Sequence, residues 1–322
     1  MLVAASHLLG RPTIGGHPPA ELVLGSVQLG LDYGAANRTG KPAIATALRV
    51  LQRAADAGVS AFDTARAYGD AEERLGAALE GRKVHTTTKL APLSELNTDA
   101  PRDVVRAAVD KSIAQSLAAL RRDALDCLLL HRASHMKAFE GAVWERLHEH
   151  VAQGTVRSLG VSVQNPAEAH DALARSSVVH LQLPFNLFDW RWRDGGVIAA
   201  IERRSDITVD ARSVFLQGVL AAEDAAVWPR VAGVDAPALV AWLDGQAREF
   251  GCDSAADLCL AYVRGQTWID GVVIGMETEE QLETNLALIA RHPLSPADCA
   301  TLESRRARLP VAFLDPAQWP PK

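Results

Sequence analysis

Short runs of β-branched and aliphatic residues alternate along the chain with longer segments whose apolar residues recur at helical spacing. The runs Leu22–Gly25, Ser60–Asp63, Val84–Lys89, Asp126–His131, Ser158–Val163, Val179–Leu183, Thr208–Arg212 and Val272–Ile274 predict strands. The segments Ala43–Ala57, Glu72–Glu80, Pro101–Leu120, Phe139–Gln153, Pro166–Arg175, Val197–Arg204, Ser254–Arg264 and Glu279–Ile289 predict helices between and after them. Gly58 and Gly154 follow helices where a left-handed residue ends the turn, and Pro101 and Pro166 stand where a first helical turn tolerates the missing N–H. Strand centres such as Leu128–Leu130 and Val272–Ile274 are continuously apolar, as a parallel sheet covered by helices requires. Eight repeats of strand then helix predict a closed (β/α)8 TIM barrel, with an open doubly wound sheet as the competing arrangement. Phe215–Pro237 is too long for an ordinary connection, and Val234–Phe250 predicts an extra helix after the seventh strand. No low-complexity linker divides the sequence, so residues 1–322 read as one domain.

Composition agrees with a folded barrel and narrows its partners. With 48% hydrophobic and 22% charged residues, the chain can bury a large core, which excludes whole-chain disorder. A formal charge of -6 leaves no overall positive field for nucleic acid or an anionic membrane, so a small-molecule partner is expected. Nothing in the sequence fixes an oligomeric state. Cys127, Cys252, Cys259 and Cys299 lack C-x-x-C spacing and read as free thiols of a reducing compartment. The start, MLVAASHLLGRPTIGG, lacks a cationic segment before its apolar run, and no run reaches 18 apolar residues. A cytoplasmic protein is the expectation.

Several local patterns invite readings that their details refuse. Gly34–Pro42 resembles a phosphate-binding loop, but five residues separate its glycines and Pro42 stands where a Ser or Thr hydroxyl would hold Mg²⁺. No G-x-G-x-x-G follows a strand, so the Rossmann mode of dinucleotide binding has no fingerprint. His131 and His135, and His148 and His150, lack the H-E-x-x-H arrangement and a third ligand, so no metal is expected. His148 and His150 are expected on a solvated helix face, and Trp190 and Trp192 at the rim, as packing or as a lid over substrate.

Three predicted strand ends carry polar residues: Asp63, Lys89 and His131, with Tyr68 in the loop beyond the first of them. In a barrel, polar residues at the C-terminal ends of strands read as catalytic. A phenol is a poor proton donor at neutral pH, but a neighbouring ammonium favours phenolate, and a carboxylate keeps that ammonium charged and in position. Tyr68 then becomes a usable general acid, and His131 can hydrogen-bond an oxygen gaining negative charge. The group has no electrophile or nucleophile of its own, which suits hydride delivery by a bound nicotinamide. A second use of Lys89 is a Schiff base, as in barrel aldolases. A third possibility is a non-catalytic, cofactor-sensing subunit with the same fold.

These residues resemble the aldo-keto reductase superfamily, specifically a bacterial branch. The resemblance rests on Asp63-Thr-Ala-x-x-Tyr68-Gly69-x-x-Glu72 with Leu75-Gly76, Thr88-Lys89, Asp126-x-Leu-Leu-Leu-His131, Gly160-Val-Ser162, Gln182 with Asn186, and Asn285. It runs in order from about Leu22 to Leu288. It implies carbonyl reduction with NADP(H) or NAD(H), NADP(H) being favoured, and Asp63, Tyr68, Lys89 and His131 as the catalytic tetrad. It also implies that Ser162 and Gln182 hold the nicotinamide carboxamide. Arg212, Ser213, Leu216 and Gly218 after strand seven, and Gly275, Gln281 and Asn285 after strand eight, would contact the rest of the cofactor. Two departures stand out: Arg212 replaces a stacking tyrosine common in relatives, and Gly275–Gln281 lacks the lysine and arginine that usually hold the adenosine 2′-phosphate. The loop Asp32–Asn37 resembles that of members linked to sugar-related metabolism. Tyr33, Arg132 and Trp190 are the candidate substrate contacts.

Overall fold

The computed structural model describes residues 19–320. The predicted alternation is realised as eight parallel strands: β1 (Glu21–Gly25), β2 (Ala61–Asp63), β3 (His85–Lys89), β4 (Cys127–Leu130), β5 (Leu159–Ser162), β6 (His180–Pro184), β7 (Thr208–Arg212) and β8 (Gly271–Gly275). They pair in sequence order, and β8 closes on β1 through the register Glu21↔Gly271 to Gly25↔Gly275. The barrel is therefore closed, and the open-sheet alternative is excluded. Continuous burial of Cys127–Leu130 follows from helices outside and packed side chains inside.

Each outer helix buries the stripe its spacing dictates. In Ile44–Asp56 the buried residues are Ala47, Val50, Leu51 and Ala54, one face of a helical repeat. Full burial of a residue such as Leu51 is worth about 1.5–3 kcal/mol, so the stripe, summed over the outer ring, dominates cohesion. The connection after β7 carries two short 3-10 turns and then the expected extra helix, Ala236–Glu249.

Some boundaries differ from expectation for local reasons. Pro101 is the residue before its helix, with ψ 146°, and the helix starts at Arg102. Phe139 and Glu140 have positive φ, so they form a separate turn and the helix begins at Ala142. The helices Arg191–Asp194 and Pro296–Arg305 were not anticipated, since neither carries an extended apolar repeat. His150 is buried with Nε2 2.8 Å from Asp110 Oδ1, and His148 packs edge-on against Trp144, correcting the expected solvated face. The N-terminal stretch read for a targeting signal lies outside the described residues. Among the described residues no helix is long and apolar enough to cross a membrane.

Toward the N-terminal end of the barrel, three buried polar residues satisfy one another. His180 Nε2 lies 2.8 Å from Asp210 Oδ2, and its Nδ1 lies 3.5 Å from Cys127 Sγ. Burial opposes charge on this imidazole, but the Cys127 sulfur and the Asp210 carboxylate outweigh it and raise its pKa well above the usual histidine value. Gly271 makes room: a Cβ there would lie 2.1 Å from Asp210 Oδ1.

Candidate active site

The opposite, C-terminal rim collects the polar strand ends. Asp63 ends β2, Lys89 ends β3 and His131 directly follows β4, while Tyr68 sits in the turn between β2 and the helix Ala71–Leu79. Lys89 is 1% exposed and donates to Asp63 Oδ1 and Oδ2, both at 2.7 Å, and to the Thr64 carbonyl at 2.9 Å. Burial favours the neutral amine, but the Asp63 carboxylate and the Tyr68 hydroxyl prevail and raise the pKa of Lys89. Gln182 Nε2 adds a bond to Asp63 Oδ2 at 2.8 Å.

The turn that carries Tyr68 is fixed by backbone contact. Gly69 has φ +59°, and a Cβ on it would fall 2.3 Å from the Gly30 carbonyl. Tyr68 is thereby pressed against the segment after β1, with the Lys89 ammonium 5.0 Å from its ring centroid. Its ring meets that of His131 edge to face, with centroids 5.7 Å apart. Burial, then Lys89, Arg212 and Arg132, hold the His131 pKa down at about 3, so this imidazole is neutral at physiological pH. The rim thus combines one fixed ammonium, one carboxylate, a phenol and a neutral imidazole.

A buried support, missed by the sequence reading as a contact, holds β3. Glu72, 0% exposed, accepts from Thr88 Oγ1 at 2.6 Å and from Arg66 Nη1, next door to Lys89. Burial raises its pKa. Glu72 belonged to the motif, but its partners come from separate segments that spacing does not join.

Unpartnered buried polar atoms gather at this rim. Ser26 Oγ, Thr64 Oγ1, His131 Nδ1, Gln182 Oε1 and Asn186 Nδ2 lack a hydrogen-bond partner among the described residues, although buried polar groups normally have one. Ser162 ends β5 in register with Gln182 of β6 and lines a cavity at this rim. This donor and acceptor set fits a carboxamide such as that of nicotinamide. The segment Ser213–Gly218 holds positive φ at Ser213, Leu216, Gln217 and Gly218, an unusual run for three residues with side chains. Arg212 donates to the Val163 carbonyl at 3.2 Å and to Gln164 Oε1 at 2.8 Å.

The remaining expected cofactor residues have mixed surroundings. Gly275 ends β8 against Gln28, whose side chain leaves no space for a Cβ. Gln281 Oε1 accepts from the backbone N–H of Glu277 and Thr278, closing a capping box, so its side chain is committed to the start of its helix. Asn285 lies half-buried one turn further on. Cations absent from the β8 loop itself arrive from elsewhere: Arg49 and Arg53, on the helix after β1, bond Glu279 at 2.8 and 2.6 Å. Sequence spacing gave no sign of this, because 226 and 230 residues separate the partners.

Two cavities open at the rim. One of about 390 Å³ is lined by His131, Arg132, Ser134, Ser162, Gln164 and Glu168 among others. The second, of about 220 Å³, is lined by Tyr33, Gln164, Arg191, Arg212 and Gln217, and by Leu314–Ala317 near the C-terminus. The Arg212–Gln164 hydrogen bond runs between them. Tyr33 and Arg132 therefore line cavities, and Trp190 lines neither of the two. Its indole N–H bonds the Leu309 carbonyl at 2.9 Å and Arg308 covers its ring at 3.6 Å, while Trp192 is fully buried and donates to Pro184 O. Both tryptophans are engaged in packing contacts. Lys41, of the apparent phosphate loop, pairs with Asp70 at 2.8 Å.

The aldo/keto reductase family matches this chain over residues 21–307. Among curated proteins, an uncharacterized oxidoreductase of Bacillus subtilis, YqkF, is 26% identical over 54% of this chain and 57% of its own length. A 6-dehydroglucose reductase of Novosphingobium aromaticivorans is 34% identical over 37% of this chain and 41% of its own length. The aldo-keto reductase YhdN of Bacillus subtilis is 30% identical over 45% of each. The chain spans about half the length of the curated relatives it matches. The holo form of the aldo-keto reductase AKR11C1 from Bacillus halodurans superposes with TM-score 0.70 over 93% of this chain and 97% of that one, at 20% identity. The thermostable aldo-keto reductase Tm1743, solved with the inhibitor epalrestat, gives 0.66 over 88% and 94%, at 22% identity. These superpositions speak for the fold.

Proposed function

The chain belongs to the aldo/keto reductase family, and from this premise and the rim geometry we propose that it is an NAD(P)(H)-dependent oxidoreductase interconverting an aldehyde or ketone and its alcohol. The observation that carries the reading is the Lys89 ammonium, fixed by Asp63 and Thr64 beside the Tyr68 ring. When bound, the nicotinamide supplies the hydride that the protein lacks. Gln182 and Ser162 would hold its carboxamide, and the Ser213–Gly218 backbone with Arg212 its more distal parts.

Tyr68 donates a proton to the carbonyl oxygen as that oxygen gains charge. The Lys89 ammonium stabilises the phenolate left behind, and Asp63 holds the ammonium in place. Neutral His131 acts as a hydrogen-bond donor to the same oxygen, its charged form being suppressed by burial and three neighbouring cations. The same geometry disfavours an imine mechanism. A lysine held as ammonium by three acceptors has no lone pair to offer a carbonyl.

NADP(H) is the favoured cofactor, with Arg49 and Arg53 beside the β8 loop as the available cations for a 2′-phosphate, once released from Glu279. A polyhydroxylated, sugar-related carbonyl compound is the favoured substrate, supported by the name of the Novosphingobium relative and by polar lining groups such as Tyr33. The test is Tyr68→Phe, assayed with a reactive aldehyde and by quenching of tryptophan fluorescence with NADPH and NADH in turn. Cofactor affinity is expected to hold while turnover falls by about 10²–10⁴-fold. Unchanged turnover would refute the role of Tyr68, and absence of quenching by either dinucleotide would refute the cofactor.

A further inference from the structure

Arg132 is the exposed residue next to His131 and lines the same 390 Å³ cavity. Among the described residues it has no ion-pair partner and no acceptor for its guanidinium, in a protein whose other rim arginines are engaged. Arg191 is clamped by Asp189, and Arg212 is committed to Val163 O and Gln164 Oε1. The unspent cation is close enough to His131 to help hold that imidazole neutral. It stands beyond β4, well around the rim from the Ser213–Gly218 segment beyond β7.

We infer that Arg132 recognises a carboxylate on the substrate, making the preferred substrates carbonyl acids such as semialdehydes, uronates or keto acids. A planar guanidinium beside a polarising imidazole matches a carboxylate held a few bonds from the reacting carbonyl. One negative charge suits the site better than a phosphate dianion. Glu168 lines the same cavity, and its carboxylate, accepting from the Gln164 N–H at 2.8 Å, is fixed there as a counterweight to a single guanidinium. The cavity volume admits a short-chain acid.

This inference rests on the reductase reading, and two measurements keep them apart. In the first, kcat/KM with NADPH is compared for succinic semialdehyde and butanal, which share a chain length and differ in the carboxylate. The acid is expected to be preferred by about ten- to a hundredfold, chiefly through KM. Arg132→Met is expected to bring that ratio near one, and Arg132→Lys to restore part of it. Equal kcat/KM values for the two aldehydes in the native protein, or a preference undiminished in Arg132→Met, would overturn the inference. In the second, calorimetric titration with butyrate and with butyramide needs no turnover. Butyrate alone should bind, and Arg132→Met should abolish it; binding of both, of neither, or of butyrate to the variant overturns the inference. Butyrate binding without any aldehyde reduction would instead sink the reductase reading and leave the carboxylate site standing. A preference for glyceraldehyde 3-phosphate over succinic semialdehyde would assign Arg132 to phosphate and overturn the proposal.

Discussion

Replacing Lys89 by methionine probes stability and chemistry at once. The ammonium sits 2.7 Å from both Asp63 oxygens in a site where lysine and aspartate are 1% and 3% exposed. At an effective dielectric of ~20 the gross attraction over that distance is about 6 kcal/mol, set against a desolvation cost of several kcal/mol per ion. The net worth of the pair is therefore modest, but removing one partner strands the other. Lys89→Met leaves the Asp63 carboxylate buried with Gln182 Nε2 as its remaining side-chain donor, and is expected to cost about 3–5 kcal/mol. Adding Asp63→Asn removes the stranded charge, so the double variant should recover about 2 kcal/mol or more relative to Lys89→Met alone. Turnover should be lost in both, because neither retains the ammonium beside Tyr68. Urea unfolding followed by circular dichroism and tryptophan fluorescence measures the stability terms, and reduction of a reactive aldehyde measures the chemistry. Strictly additive penalties, or a Lys89→Met variant within about 1 kcal/mol of the native protein, would refute the buried pair as described.

The other predictions follow from the same accounting of buried groups. Because the His131 pKa lies near 3, the rate of carbonyl reduction should show no inflection near pH 6.5 that disappears in His131→Gln; finding one would mean that the imidazole is charged during turnover. His180 has a raised folded pKa, so its pairing with Asp210 stabilises fully below about pH 6.5 and is lost as pH climbs through the folded value. Asp210→Asn should accordingly destabilise more at pH 6 than at pH 10 in chemical denaturation, and a penalty independent of pH would exclude the imidazolium. Gly69→Ala puts a methyl group 2.3 Å from the Gly30 carbonyl at a left-handed φ, and should cost about 1–3 kcal/mol while lowering turnover through displacement of Tyr68; an active, fully stable variant would free that turn from any positioning role.

The barrel and the polar strand ends gathered at its rim were legible because each strand announces its own end. Thr88-Lys89 closing an apolar-flanked run and Asp63 closing Ala61–Asp63 are local features, and eight repeats leave few topologies to choose from. What the sequence hid are contacts made across the fold. Arg49 and Arg53 reach the β8 loop from the far end of the chain, Leu314–Ala317 return to wall the smaller cavity, and Arg66 closes on Glu72 with Thr88. Trp190 and Trp192 stayed open between packing and a lid for the opposite reason. Aromatic residues after a strand suggest a ligand platform, but here the indole N–H groups are consumed by Leu309 O and Pro184 O, a matter of partners that local pattern does not encode.

The two ends of the barrel carry buried polar clusters of similar composition and opposite saturation. Toward the N-terminal end, Cys127 and Asp210 occupy both imidazole nitrogens of His180, so these interactions are spent on the fold itself. At the C-terminal rim, Lys89 and Asp63 are saturated while Gln182 Oε1, Asn186 Nδ2 and His131 Nδ1 are left over. An unsatisfied buried polar atom costs about 1–3 kcal/mol, so several at one mouth favour an arriving ligand or water that bonds them. Saturation therefore separates the ends more sharply than residue type does. A histidine, an aspartate and a strand-end location occur at both, but binding capacity remains where the protein leaves its own hydrogen bonds unmade.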